Sequence, residues 1–157
     1  MCMAFLCASL IGFSSENVSE KKQTVMIENC VDLGLDAEAY GFDPMLIISL
    51  AHTESRFNKL AVSKAGARGI MQILPRYFCP KEGKCDYTKA GFQAWERWSK
   101  GRTTKEALCR YNSGKKCSDS SRASYYSRVI LRKYWKLKWM HKKNNCSECP
   151  CGFEEGC

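Results

Sequence analysis

Apolar positions along this chain of 157 residues recur at helical spacing, in runs separated by short stretches rich in Gly, Ser, Asn and Pro. Residues 1–13, MCMAFLCASLIGF, form a continuous apolar run that ends in Ser14 and Ser15. Residues 14–24 are polar and charged without apolar periodicity, and read as a linker. From residue 25 the pattern changes: Val25, Met26, Cys30, Val31 and Leu33 recur at three-to-four-residue spacing, as on one face of an amphipathic helix, with Gly34 and Gly41 as punctuation. Asp43 followed by Pro44 is a helix start with a mechanism. The carboxylate accepts unpaired N–H groups of the first turn, and proline's fixed φ and missing N–H cost nothing at the first helical position. Residues 45–53, MLIISLAHT, are nearly all apolar, which predicts a buried central helix, and Glu54 arrives on its last turn.

After Ser55 the sequence loosens through Asn58, Ser63, Gly66 and Gly69. Ile70, Met71, Ile73 and Leu74 then resume an apolar pattern that Pro75 stops, predicting a loop followed by a short helix. The irregular stretch 76–87 contains Cys79 and Cys85, near enough in sequence for a disulfide to close a small loop, a bridge worth roughly 2 to 3 kcal/mol. Helical patterns return over 89–100 and 104–111, the second opened by Thr103 or Thr104 with Glu106. Cys109 and Cys117 bracket the turn through Asn112, Ser113 and Gly114, and a bridge between them would hold it still. A last helix is expected over 121–139, with Tyr125, Val129, Ile130, Tyr134 and Leu137 as its inward residues. No alternating strand pattern and no internal repeat emerge, so the expected fold class is all-α, a single globular domain.

Composition and charge add to this picture. A chain with 45% hydrophobic residues is long enough for one core and too short for two. The net charge of +9 favours association with polyanions without choosing among nucleic acid, anionic lipid and wall polymer. Eleven cysteines point to an oxidising compartment, and their odd number leaves at least one unpaired or paired outside the chain. The apolar N-terminal run suits the core of a signal peptide, although no Lys or Arg precedes it. The resulting expectation is a leader over 1–15, a linker over 16–24, a domain over 25–140 and a Cys-rich tail over 141–157, in a periplasmic or extracellular protein. No later run approaches the roughly 20 apolar residues that span a bilayer.

Three short motifs carry candidate chemistry: Glu54-Ser55, Gly69-Ile70-Met71-Gln72 and Tyr111-Asn112-Ser113-Gly114. A carboxyl at the end of an apolar helix, beside a loop, is partly desolvated and keeps its proton to higher pH. Such a group can protonate a glycosidic oxygen near neutrality. The order and spacing of these motifs, with the intervening Phe57-Asn58, Ala61-Val62-Ser63 and Gly66-Ala67, resemble the soluble lytic transglycosylase family, which has a lysozyme-like fold similar to goose-type lysozyme. The likeness runs over 42–134, and the stretch from Tyr125 to Val129 is similar to the family's closing helix.

The resemblance implies a substrate and a set of roles. The substrate would be the glycan strand of bacterial peptidoglycan, cut at the MurNAc-GlcNAc β-1,4 bond with no cofactor. Glu54 matches the catalytic acid and base. Ser63 matches a serine that orients the substrate's acetamido group, with a loop or cap serine as its plain alternative. Met71 and Gln72 match positions lining the glycan cleft, although Met71 also suits a core. Tyr111 matches an aromatic that contacts the catalytic Glu, and Asn112 a cleft residue beside it; the same run reads as a helix stop in which Gly114 supplies positive φ.

Glycoside hydrolysis normally uses two carboxylates, and neither Asp86 nor Glu96 is marked as the second. The family's answer is substrate assistance: the acetamido group stabilises the cation, and the sugar's own 6-hydroxyl attacks to leave a 1,6-anhydromuramyl end. The alternatives are a hydrolytic muramidase, or a non-catalytic glycan-binding component of a secretion or virion assembly. The chain departs from the family after Pro75, where Arg76-Tyr77-Phe78-Cys79 leads into the cysteine-bracketed loop, and at Cys109, which reads as an added staple. His52, two residues from Glu54, points elsewhere on a helix and is expected in a structural role. The basic stretch 133–143 with Trp135 and Trp139 suits an anionic wall polymer or membrane surface; nucleic acid is not expected. Cys146, Cys149, Cys151 and Cys157 lack the second paired half of a zinc ribbon, so no metal is expected.

Overall fold

The computed structural model describes residues 3–12, 18–81 and 84–143. The expected all-α architecture is what it contains: α1 (Met3–Gly12), α2 (Glu20–Ala39), α3 (Pro44–Ser55), α4 (Pro75–Phe78), α5 (Tyr87–Ser99), α6 (Thr104–Ser113) and α7 (Ser121–Lys143), with a 3₁₀ turn at Cys117–Asp119. Among the described residues the only β pairing is two isolated bridges, Val62 with Arg68 and Arg68 with Ile73. No helix among them is long and apolar enough to cross a membrane.

The Asp43-Pro44 start signal works as its chemistry dictates. Asp43 Oδ1 accepts the N–H groups of Met45 at 3.0 Å and Leu46 at 3.4 Å, and Pro44 occupies the first position of α3. The eight residues from Met45 to His52 are all buried, so α3 is the axis around which α1, α2 and α7 pack. A helix apolar on every side is stable only when so enclosed. Polar ties fix α3 against α7. Tyr134 donates its hydroxyl to Asp43 Oδ2 at 2.8 Å, and Lys133 Nζ lies 2.8 Å from Thr53 Oγ1 and 2.7 Å from His52 Nδ1. Burial, reinforced by the positive Lys133 and Arg56, lowers the His52 pKa to about 4, so this imidazole is neutral and accepts from the lysine. His52 therefore has the structural role expected of it.

Several boundaries differ from the pattern reading. The helix expected from residue 25 begins at Glu20, inside the segment read as linker. Its first turn faces solvent and carries no apolar residue to mark it. The short helix expected before Pro75 lies after it, as α4. Ile70, Met71 and Ile73 are apolar because a loop buries them, not because a helix presents them. Tyr125, expected to face inward on α7, is 62% exposed, and Tyr126 beside it points in instead.

Residues of the expected leader have a place in the fold. Met3, Leu6, Cys7, Leu10 and Ile11 of α1 are buried, and Cys7 is bonded to Cys30 of α2. The anticipated bridges Cys79–Cys85 and Cys109–Cys117 are both formed. The tail cysteines from Cys146 onward lie outside the described residues.

Candidate active site

The site is built where α3 ends. Ser55 closes the helix, and the chain then reverses through Arg56 at φ 51° and Phe57 at φ 63°, two consecutive non-glycine residues in the left-handed region. Such backbone costs of order 1–3 kcal/mol per residue and persists only where its surroundings hold it. Here the holding contacts are visible. Phe57 is fully buried, and its carbonyl accepts the Asn29 amide of α2 at 2.9 Å. Ser55 Oγ donates to the Ile70 carbonyl at 2.7 Å, joining the helix end to the loop that follows.

That loop is a tight framework. Arg68 and Ile73 exchange backbone hydrogen bonds at 2.8 and 3.1 Å, and Ser63 N–H donates to the Ala67 carbonyl at 2.9 Å. Gly69 adopts φ 78° with its α-carbon pressed against Tyr87, where an added Cβ would lie 2.5 Å from the tyrosine Cβ. Only glycine meets both conditions.

A cleft of about 630 Å³ opens over this framework, and Glu54, Ser63, Gln72, Tyr111 and Asn112 all line it. Five of the six residues expected at the site are thus brought together from α3, the loop and α6. The sixth is not. Met71 is fully buried, with its sulfur packed where a side chain on Gly91 of α5 would be, so of its two readings, cleft lining or core, the side chain takes the core. Its carbonyl contributes instead, accepting the Tyr111 hydroxyl at 2.8 Å. Gln72 has its amide nitrogen committed to the carbonyls of Ala61 at 3.1 Å and Gly69 at 3.0 Å, and so braces the loop that it also lines. Ser63 Oγ accepts the Ala67 N–H at 3.0 Å, leaving its hydroxyl proton to be donated elsewhere.

The electrostatics centre on Glu54. Burial raises its pKa from 4.5 to about 7, against a partial opposing pull from the Tyr126 hydroxyl, which donates to Glu54 Oε1. Burial and the nearby Glu54 in turn keep the Tyr111 and Tyr126 phenols protonated well above their ordinary range. Among the described residues Glu54 is the cleft's only carboxyl group. Asp86 caps α5, accepting the N–H groups of Thr88 and Lys89 at 3.0 Å each, and Glu96 is exposed on α5 away from the cleft.

Tyr126 is the site residue that pattern reading misses. A signal existed: it stands four residues before the buried Ile130, on the same face of α7. Pattern also gave no sign that Tyr77, Phe78 and Trp98 would join the cleft with Arg76, Arg97 and Arg110. No group of His, Cys, Asp and Glu side chains among the described residues is disposed to hold a metal.

The family model described as "Transglycosylase SLT domain" matches residues 34–130. The "Membrane-bound lytic murein transglycosylase C" of Actinobacillus pleuropneumoniae serotype 5b (strain L20) is 41% identical over 56 residues, 36% of this chain and 14% of that protein. The protein of the same name from Haemophilus influenzae (strain PittEE) is 49% identical over 39 residues, 25% of this chain and 11% of its own length. The matched part of this chain thus spans about a seventh or less of these curated relatives. No solved structure matches significantly. The model match covers well over half of the chain and reaches from the end of α2 to the middle of α7, so the chain belongs to the transglycosylase SLT domain family.

Proposed function

We propose that this protein is a peptidoglycan lytic transglycosylase that cleaves the MurNAc-GlcNAc β-1,4 bond and leaves 1,6-anhydromuramic acid ends, with Glu54 as its general acid and then base. The observation that carries the reading is the one carboxyl that lines the cleft among the described residues, its pKa raised to about 7 by burial. A carboxylic acid protonated near neutrality can deliver its proton to the bridging oxygen as the C1–O bond breaks. A hydrolase normally uses a second carboxylate to activate water or to trap C1, and among the described residues the cleft offers none.

Substrate groups take the part of a second catalytic group. The 2-acetamido oxygen stabilises C1 as positive charge develops, with the Ser63 hydroxyl donating to that substituent and orienting it. The sugar's 6-hydroxyl oxygen then bonds to C1, and its proton passes to the Glu54 carboxylate. One glycosidic C–O bond is exchanged for an internal one, no water is consumed, and Glu54 ends protonated as it began. Tyr126, as a phenol that stays protonated, positions the carboxyl through the transient charged state. Asn112 and Tyr111 shape the cleft around the sugar. The three disulfides among the described residues support action in an oxidising place, the periplasm or cell exterior.

The test is a digest of insoluble wall by the parent and by Glu54→Gln, read by mass spectrometry. Anhydro ends, lighter than reducing ends by one water, from the parent alone support the proposal. Reducing ends would indicate a hydrolytic muramidase. Wall binding without new ends, equal in both proteins, would indicate a glycan-binding module.

A further inference from the structure

The cleft holds more positive charge than glycosidic cleavage uses. Arg76 from α4, Arg97 from the last turn of α5 and Arg110 from α6 all line it. Arg110 is paired with Glu106 at 3.2 Å. Arg76 and Arg97 are exposed, and neither lies within ion-pairing reach of a carboxylate among the described residues. Each sits over the ring of its chain neighbour, 4.7 Å from the centroid of Tyr77 and 5.5 Å from that of Trp98, and both rings line the same cleft. A ring beneath a guanidinium restrains its plane while its N–H edges stay available as a fork for a carboxylate. This wall is also a built element rather than a loose surface. The Cys79–Cys85 bond closes it, and Phe78 and Cys79 pack on Ile73, Ala90 and Ala94.

We propose that this end of the cleft is a carboxylate subsite, in which Arg76 and Arg97 bind acidic groups carried as substituents on the glycan strand, such as the carboxylates of peptide stems. The inference rests on the transglycosylase reading for its substrate and deepens it. A neutral polymer of N-acetylated sugars presents only hydroxyl and amide groups, for which a guanidinium has no charge-based preference. A strand bearing peptide stems presents free carboxylates alongside the bond to be cut.

The experiment measures equilibrium binding of soluble, stem-bearing glycan strands to the full chain carrying Glu54→Gln, so that no cleavage intervenes. The same strands are then used after their carboxyl groups have been converted to methylamides. The proposal predicts roughly tenfold weaker binding of the amidated strands. It predicts a similar loss when Arg76→Gln and Arg97→Gln are added, with no further loss on amidation. A charge-matched control, Arg128→Gln with Arg132→Gln on α7, separates the subsite from general attraction to a chain of net charge +9. Equal binding of native and amidated strands would overturn the proposal, as would equal losses in the cleft and control variants. If the parent makes no anhydro ends while this binding preference holds, the catalytic reading fails and the subsite does not.

Discussion

Replacing Glu54 by Gln should make the protein more stable at high pH while removing its activity, and the size of the gain follows from the site. The amide has the shape of the acid, and its oxygen can still accept the Tyr126 hydroxyl, so the main change is loss of a buried ionisable group. In the folded chain the carboxyl titrates near 7, against 4.5 when exposed. That difference corresponds to about 3 kcal/mol. The sign follows from which state holds the proton more tightly. Below the unfolded value of 4.5 the acid is protonated in both states, and parent and variant should be equally stable. As pH rises toward about 7, the unfolded chain ionises first and is stabilised in a way the folded chain is not, so the parent weakens relative to the variant. Above about 7 the deficit levels off near 3 kcal/mol, or roughly 6 to 12 °C in Tm for a chain of this size. Urea unfolding of both oxidised proteins at about pH 4 and about pH 8 reads it directly. A stability difference that does not change with pH, or a Gln protein weaker than the parent at pH 8, would refute the reasoning.

Other perturbations have equally specific outcomes. In kcat/KM profiles the parent should lose activity as pH rises through about 7, because Glu54 must begin protonated; Tyr126→Phe, by removing the contact that lowers this pKa, should move that limb to higher pH and reduce the maximum rate. Gly91→Ala should lower stability by about 1 to 3 kcal/mol in thermal melts, since its Cβ would lie 2.6 Å from the Met71 sulfur and 2.8 Å from the Met71 Cβ. Removing the Cys7–Cys30 bond by Cys7→Ser with Cys30→Ser should cost about 3 kcal/mol in denaturant melts, given the 23-residue separation it closes.

Where local chemistry alone decides structure, the sequence is legible. Asp43-Pro44 opens α3 because a carboxylate and a proline solve the first turn's hydrogen-bond problem without help from elsewhere. Thr103 opens α6 in the same way, accepting the Glu106 N–H at 3.3 Å. The reading fails where tertiary burial sets the pattern. Ile70, Met71 and Ile73 have the spacing of a helix, but they are buried from a loop whose shape depends on Gly69 meeting Tyr87 and on Ser55 reaching the Ile70 carbonyl. On α7 a step of one residue, from Tyr125 to Tyr126, turns the side chain by about 100°, and only the packed position of α3 selects between them.

The candidate site follows the same division. Glu54, Ser63, Gln72, Tyr111 and Asn112 come together along one cleft. Met71 was ambiguous between cleft and core, and the absence of a side chain at Gly91 resolves it as core. The arginine-bearing wall lies where the chain departs from the family pattern after Pro75, so no motif marks it.

The central claim is that a single carboxyl cuts the strand without water, and isotope labelling tests it most directly. Wall digested by the parent protein in ¹⁸O-enriched water should yield muramyl ends of anhydro mass that carry no ¹⁸O. New ends that incorporate one ¹⁸O at the cleaved carbon would contradict the account.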